Sequence, residues 1–161
     1  MSYYVFGLPR SRTAWLSVFL SQSGIYCHHE GINGCKSMAE YKEKISGCGD
    51  STTAISFIDG YEGSPVVIIE KTAKEFKRCV DWCSDFTRKD MMASMVLERD
   101  RLYSAKGLRV MQSDIDNRLE EVFTHLTGCE FNPQYANLSL LNIQSNPANI
   151  DMESMRLLIN G

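Results

Sequence analysis

The chain has 161 residues and a formal net charge of −3 at pH 7, which fits one domain and excludes a broadly basic nucleic-acid-binding surface. Hydrophobic residues make up 43% of the chain, enough for a core and too many for a disordered protein. No apolar run approaches the roughly 18 residues of a membrane span, and the N-terminal residues lack a secretory signal. We therefore expect a single cytoplasmic domain over residues 1–161, with neither a nucleic-acid nor a membrane partner.

Six cysteines are present, and a chain of this size without an export signal is expected to keep them reduced. Cys79 and Cys83 are spaced i, i+4, so on a helix they share one face and are expected to pack in the core. Zinc sites typically combine a two-residue gap with a second ligand pair, and neither is present. We predict no metal site.

The first elements in chain order are a short strand, a helix and a second strand. Residues 3–6 are apolar and β-prone, and Gly7 ends the strand. Residues 13–23 carry apolar side chains on one helical face, and Gly24 is a typical helix stop. Residues 25–29 form the second strand candidate.

The middle of the chain contains one helix and the clearest strand. Residues 37–40 have a capping-box pattern and open a helix through residue 45. Residues 52–58 fit either a strand or an extended loop. Residues 66–69 are all apolar, as expected for a strand buried on both faces of a parallel sheet.

The second half of the chain is predicted to be mainly helical. The predicted elements are a helix opened by a capping box at 72–75 and ending near 86, a helix over 90–105, a strand over 108–111, a helix capped by Ser113 and Asp114 and running to 126, and a last short helix from 151. This alternation of strands and helices predicts a three-layer α/β fold with a mostly parallel central sheet. Ligands bind at the carboxyl ends of the strands in such sheets.

The loop over residues 7–13, between the first strand and helix, has the features of an anion site. Free backbone N–H groups and the helix dipole attract an anion to a helix N-terminus. Arg10 and Arg12 add charge, and Ser11 and Thr13 add hydroxyl donors. The alternative is that the arginines are solvated and a hydroxyl merely caps the helix. The loop does not follow the Walker A pattern G-x-x-x-x-G-K-S/T, because Arg12 and Thr13 occupy the Gly and Lys positions.

Residues 9–16 resemble the phosphosulfate-binding loop of the sulfotransferase family, which reads Pro-Lys/Arg-Ser-Gly-Thr-Thr/Ser-Trp/Leu-Leu. The matching residues are Pro9, Arg10, Ser11, Thr13, Trp15 and Leu16, whereas Arg12 replaces the glycine and Ala14 a hydroxyl residue. The resemblance implies a P-loop-like fold that binds 3′-phosphoadenosine 5′-phosphosulfate (PAPS). It assigns the 5′-phosphate to Arg10, Ser11 and Thr13, with Arg12 added by position.

A second segment is similar in architecture to a late stretch of many sulfotransferases, where a strand ends in Tyr-Glu-Asp-Leu and the next helix closes with Phe-Leu-Gly. Asp114-Ile115 and Leu126-Thr-Gly128 stand in those places. The family also places an Arg after the third strand and a Ser about eight residues later, to hold the 3′-phosphate. Here Lys71 can replace the Arg and Arg78 follows on the helix, but the nearest serine is Ser84. Alternatively, Arg78 belongs to a solvated helix face.

The catalytic candidates follow the second predicted strand. Sulfuryl transfer needs a base for the acceptor proton, and the family places a Glu or His in a comparable position in some branches. Glu30 is the first candidate, with His28 or His29 as alternatives; strand alternation predicts that His28 and Glu30 share one face. Asp50 and Ser51 are candidate substrate-binding residues, although their polar segment also fits a plain turn.

The resemblance implies a transferase that moves a sulfuryl group from the nucleotide donor PAPS to a hydroxyl or amine acceptor. A small-molecule kinase of related P-loop architecture is one alternative, with Glu70 as a possible Mg²⁺ ligand. A non-catalytic module that binds a nucleotide or anion is the other alternative.

Overall fold

The computed structural model has a five-stranded parallel sheet at its centre, and helices cover both faces of the sheet. The structure describes residues 1–83, 89–140, 143, 153, 155, 157 and 159. The predicted α/β class with a parallel central sheet is therefore confirmed. The strands, numbered in chain order, are β1 (Tyr3–Gly7), β2 (Cys27–His29), β3 (Gly49–Thr52), β4 (Val66–Glu70) and β5 (Leu108–Met111), and they lie side by side in the order β2-β3-β1-β4-β5.

The α-helices of the described residues are α1 (Thr13–Leu20), α2 (Met38–Lys44), α3 (Ala73–Cys83), α4 (Lys89–Ser104) and α5 (Leu119–Thr127). None of the described helices is long and apolar enough to cross a membrane. Four 3-10 segments accompany them, at Ser21–Ser23, Ile55–Phe57, Gln112–Asn117 and Pro133–Leu140. The helix predicted from residue 113 thus begins as a 3-10 segment, and its α-helical part starts at Leu119. The predicted helix end near residue 86 and the helix start at residue 151 lie outside the described residues.

Strand β3 is the element that the sequence analysis interpreted as a polar loop. It lies between β1 and β2, and its four residues are buried. Three of them, Asp50, Ser51 and Thr52, are polar, and Asp is depleted in strands although Thr is enriched in them. Hydrogen bonds compensate for the burial of Asp50 and Thr52, which is why a polar segment occupies an inner position. Of residues 52–58, which were considered as a strand or an extended loop, Thr52 ends β3 and Ile55–Phe57 form a 3-10 segment.

Side chains alternate between the two faces along β1 and belong to two separate hydrophobic clusters. Val5 packs on the face covered by α1 and α5, whereas Tyr4 and Phe6 pack on the face covered by α2, α3 and α4. Cys79 of α3 is fully buried in the second cluster, and its Sγ lies 3.5 Å from Sδ of Met95. The expectation that this thiol packs in the core is confirmed.

The strand order places a crevice at the carboxyl end of β1. Helix α1 leads from β1 to β2 on one face, and α3 and α4 lead from β4 to β5 on the other. Since β1 and β4 are neighbours whose connections leave in opposite directions, the crevice between the connections opens at their carboxyl ends. The loop over residues 7–13 leaves β1 at this point.

Candidate functional site

The loop between β1 and α1 holds two arginines in the left-handed backbone region. Arg10 has a φ of 65° and Arg12 a φ of 61°. Among the described residues other than glycine, Glu30 is the only further residue with a positive φ, at 55°. Each such residue costs about 1–2 kcal/mol, and this kind of strain clusters at functional sites. All three residues were candidates from the sequence.

The N-terminus of α1 has no side-chain cap, because the N-cap position is taken by Arg12 and no side chain accepts a bond there. The first backbone N–H groups of a helix have no intrahelical partner, and the positive end of the helix dipole lies beside them. The predicted alternative, in which Ser11 or Thr13 caps the helix, therefore does not apply. The first backbone N–H groups of α1 can therefore donate hydrogen bonds to an anion.

Ser11 is fully buried inside the turn, and its Oγ has no hydrogen-bond partner in the part of the chain that the structure describes. The side chain lies against Gly7, where an added Cβ would approach the Ser11 Cβ to 2.8 Å. The close approach requires glycine at position 7. Ser11 therefore lies beneath the loop, while Thr13 faces the neighbouring cavity.

Two ionic side chains hold the loop in place. The Arg12 guanidinium lies 2.8 Å from Oδ1 of Asp116 and stacks over the Trp15 ring, with its carbon 4.2 Å from the ring centroid. Lys71 Nζ donates to the Arg10 carbonyl at 3.1 Å and to Oε1 of Gln112. Arg12 and Lys71, which were both predicted to bind the cofactor, thus make contacts that hold the loop.

A cavity of about 420 Å³ opens beside the loop, and we call it the loop cavity. Arg10 lines it with its guanidinium carbon 5.9 Å from the centre of the Trp82 ring. Residues from the ends of β1, β2 and β3 meet there with residues of α3 and α4. The lining residues are Pro9, Arg10, Thr13, His29, Glu30, Asn33, Thr53, Ala54, Phe57, Trp82, Met95 and Glu98.

Glu30 lies in the loop cavity just beyond β2, and two hydrogen bonds fix its carboxylate. Its Oε2 accepts a bond of 2.7 Å from the Thr52 hydroxyl, and its Oε1 accepts one of 3.0 Å from the Thr53 backbone N–H. These bonds fix the carboxylate in the cavity that Arg10 and Thr13 also line. The predicted position of Glu30 near the anion loop therefore agrees with the structure.

The prediction that His28 and Glu30 share one face is wrong, because the positive φ of Glu30 ends the strand alternation. His29 and Glu30 line the loop cavity, whereas His28 is not among the lining residues. The His28 ring packs edge-on against Tyr26 at 4.7 Å. Burial, assisted by the nearby Lys44 ammonium, lowers the pKa of His28.

Glu98 is a second carboxylate in the loop cavity that the sequence analysis missed. It is only 4% exposed and accepts bonds from the Ser56 backbone N–H, at 2.9 Å, and from the Ser56 hydroxyl. Burial raises the pKa of Glu98, and the Glu30 carboxylate adds to this increase. Met95 and Leu102, three residues before and four after it, are also buried. The sequence signal for Glu98 was a charged residue between apolar residues on the same face of a predicted helix.

Asp50 and Ser51 are fully buried in β3 and do not line the loop cavity, contrary to their predicted contact with substrate. The Asp50 carboxylate accepts bonds from the Gly31 N–H at 2.9 Å and from the Tyr41 hydroxyl at 2.7 Å. Burial raises the pKa of Asp50 to about 6, although both hydrogen bonds oppose this increase. Asp50 therefore supports the turn that carries Glu30.

The structure brings five of the predicted site residues together around one cavity: Pro9, Arg10, Thr13, His29 and Glu30. Arg78 is exposed on α3 and does not line this cavity, and Ser84 lies outside the described residues. No match to this chain was found among models of protein families, curated protein sequences or solved structures.

The left-handed backbone of Arg12 predicts that glycine destabilises the fold less than alanine at this position, which is the reverse of their order within a helix. Arg12→Gly and Arg12→Ala both lose the Asp116 ion pair and the Trp15 contact, but only alanine keeps a Cβ in the left-handed region. We expect the glycine variant to be more stable than the alanine variant by about 1 kcal/mol, measured by urea unfolding. At Lys42, an exposed position within α2, the same pair of substitutions should favour alanine. An alanine variant at position 12 as stable as the glycine variant would contradict the left-handed conformation.

The raised pKa of Asp50 predicts that ionisation of this residue destabilises the fold as the pH rises. The unfolded carboxyl ionises near pH 3.8 and the folded one near pH 6, so the penalty is absent below the lower value and complete above the higher one. The difference corresponds to about 3 kcal/mol. We expect Asp50→Asn to gain about that much unfolding free energy relative to the unmodified chain between pH 3.5 and pH 7, measured by urea titration. The exposed control Asp59→Asn should gain none, and a pH-independent effect of Asp50→Asn would contradict the assignment.

Proposed function

We propose that this chain is a small transferase that moves a sulfuryl group from PAPS to a hydroxyl or amine acceptor. The observation that carries the proposal is the grouping of the left-handed residues Arg10, Arg12 and Glu30 at one site. Arg12 adopts this backbone at the position where the resembled phosphosulfate loop has glycine. Glycine adopts this backbone region readily, so the conformation of Arg12 supports the proposed correspondence with the glycine of that motif.

The donor side of the proposed reaction lies at the start of α1. A phosphate placed there would accept hydrogen bonds from the uncapped N–H groups of the first turn. Arg10 and the Thr13 hydroxyl line the same cavity and would add a positive charge and a further donor. These groups would balance the charge that develops on the leaving phosphate as the sulfur–oxygen bond breaks.

The acceptor side of the proposed reaction lies at Glu30. The acceptor oxygen or nitrogen forms a bond to sulfur while the bond from sulfur to the phosphate oxygen of the donor breaks, releasing adenosine 3′,5′-bisphosphate. The acceptor proton passes to the Glu30 carboxylate, which acts as general base. Its bonds to Thr52 and Thr53 fix its orientation for this transfer.

Metal-dependent phosphoryl transfer is the second candidate, and one observation favours it. Glu30 and Glu98 both line the loop cavity, and carboxylate oxygens are the ligands that Mg²⁺ prefers. Against this candidate, Thr13 and Ala14 occupy the Lys and Ser/Thr positions of a Walker A loop. Lys71, which directly follows β4 at this edge of the sheet, donates to the Arg10 carbonyl.

A transfer assay with Glu30→Gln tests the proposed function. With PAPS and a panel of hydroxyl and amine acceptors, we expect the unmodified chain to form sulfated product and release adenosine 3′,5′-bisphosphate. Loss of the base should lower kcat about 10²- to 10⁴-fold while the KM for PAPS changes little. Glu43→Gln, at an exposed position of α2, is the matched control and should keep full activity.

Each contradictory outcome of this assay has a distinct meaning. Unchanged turnover in Glu30→Gln would remove Glu30 as the base. Consumption of ATP–Mg²⁺ without any use of PAPS would replace sulfuryl transfer by phosphoryl transfer. If neither nucleotide is consumed with any acceptor, both enzymatic functions are contradicted and a non-catalytic binding module is favoured.

A further inference from the structure

A second cavity, of about 480 Å³, lies at the carboxyl ends of β4 and β5 and is lined partly by α3 and α4. It shares no lining residue with the loop cavity, although Leu8 lines the second cavity and the adjacent Pro9 lines the first. Apolar side chains form much of its wall, among them Leu8, Phe76, Leu102 and Met111. Its volume and lining are typical of a site for a small organic molecule.

Most charged groups of this second cavity are already engaged with the protein. Arg109 forms an ion pair of 2.7 Å with Glu70, and its Nη2 donates to the carbonyls of Leu102, Tyr103 and Ala105 at 3.0 Å each. Lys71 donates to the Arg10 carbonyl and to Gln112. The remaining cationic residue of the lining is Arg99.

Arg99 has donor capacity that the described residues do not use. Its Nε is buried and lacks a hydrogen-bond partner among them. Its ion pair with the adjacent Asp100, at 3.5 Å, is open to solvent, because the two side chains are 43% and 65% exposed, and an exposed pair of this kind contributes little. The accessible part of the guanidinium belongs to a residue that lines the cavity, and a guanidinium binds the two oxygens of a carboxylate through two parallel bonds.

We propose that the second cavity binds a small amphipathic carboxylate, with the carboxylate on Arg99 and the apolar part against Phe76, Leu102 and Met111. A single negative charge matches Arg99, a cationic group of the lining whose ion pair is exposed and lies within its own helix. The apolar wall disfavours a strongly hydrated dianion such as inorganic phosphate. This site is independent of sulfuryl or phosphoryl transfer in the loop cavity.

Calorimetric titration of the full chain with 2-naphthoate and with the neutral 2-naphthalenemethanol tests the proposal. We expect the carboxylate to bind at least about tenfold more tightly than the alcohol, because a charge-assisted hydrogen bond adds to the shared apolar contact. Arg99→Gln should remove this preference. Arg101→Gln, an exposed arginine of the same helix that does not line the cavity, should retain it.

A second variant tests the location of the ligand independently of charge. Ala73 is exposed and lines the cavity, so Ala73→Phe fills part of the space without removing a buried side chain. We expect it to weaken binding of both probes about tenfold or more, with an unchanged circular dichroism spectrum. Absence of binding to the unmodified chain, equal binding of the two probes, a preference that persists in Arg99→Gln, or full binding to Ala73→Phe would each overturn the proposal.

Discussion

The chain leaves the centre of the sheet at Gly7 and enters α1 at Thr13, so five residues must complete the turn. This turn requires positive φ angles at Arg10 and Arg12 and the close packing of Ser11 on Gly7. Residues outside the loop fasten it: Lys71 at the end of β4 binds the Arg10 carbonyl, and Asp116 binds the Arg12 side chain. The strain of the turn is thus offset by contacts to the carboxyl-end segments of neighbouring strands, and the α1 N-terminus faces the ligand edge without a cap.

The segments that carry Glu30 and Glu98 into the loop cavity are held by three carboxylates that each accept a bond from a backbone N–H group. Asp50 binds the N–H of Gly31, Glu30 that of Thr53 and Glu98 that of Ser56. The first bond joins β3 to the turn after β2. The second joins this turn to the segment after β3, and the third joins α4 to that same segment. Glu30 and Glu98 thus line the same cavity as Arg10 and Thr13, so the cavity combines groups suited to a phosphate with groups suited to accept a proton.

Capping patterns and apolar runs in the sequence predicted the helices and strands that depend on neighbouring residues. They failed where the structure depends on contacts between residues distant in the sequence. The capping serine Ser37 accepts the N–H of Glu40, as its pattern predicts, and the apolar residues 66–69 lie in β4. Strand β3 was missed because the partners of its polar residues, Tyr41 and Glu30, come from other elements. Glu98 was missed because its hydrogen-bond partner, Ser56, lies 42 residues away along the chain, so the helical pattern alone did not show how a carboxylate is held on a buried face. The resemblance of residues 9–16 to a phosphosulfate loop marked the site, but it did not show that the Arg12 side chain turns away to Asp116.

The central claim is that the α1 N-terminus and Arg10 bind the phosphate of a nucleotide in the loop cavity. Titration calorimetry with adenosine 3′,5′-bisphosphate tests it most directly, on the unmodified chain and on Arg10→Gln and Arg78→Gln. We expect saturable binding, weakened about tenfold by Arg10→Gln because a charge-assisted contact is lost. Arg78→Gln should bind normally, since Arg78 is exposed and does not line the cavity. No binding at millimolar nucleotide, or equal weakening by the two substitutions, would contradict the claim.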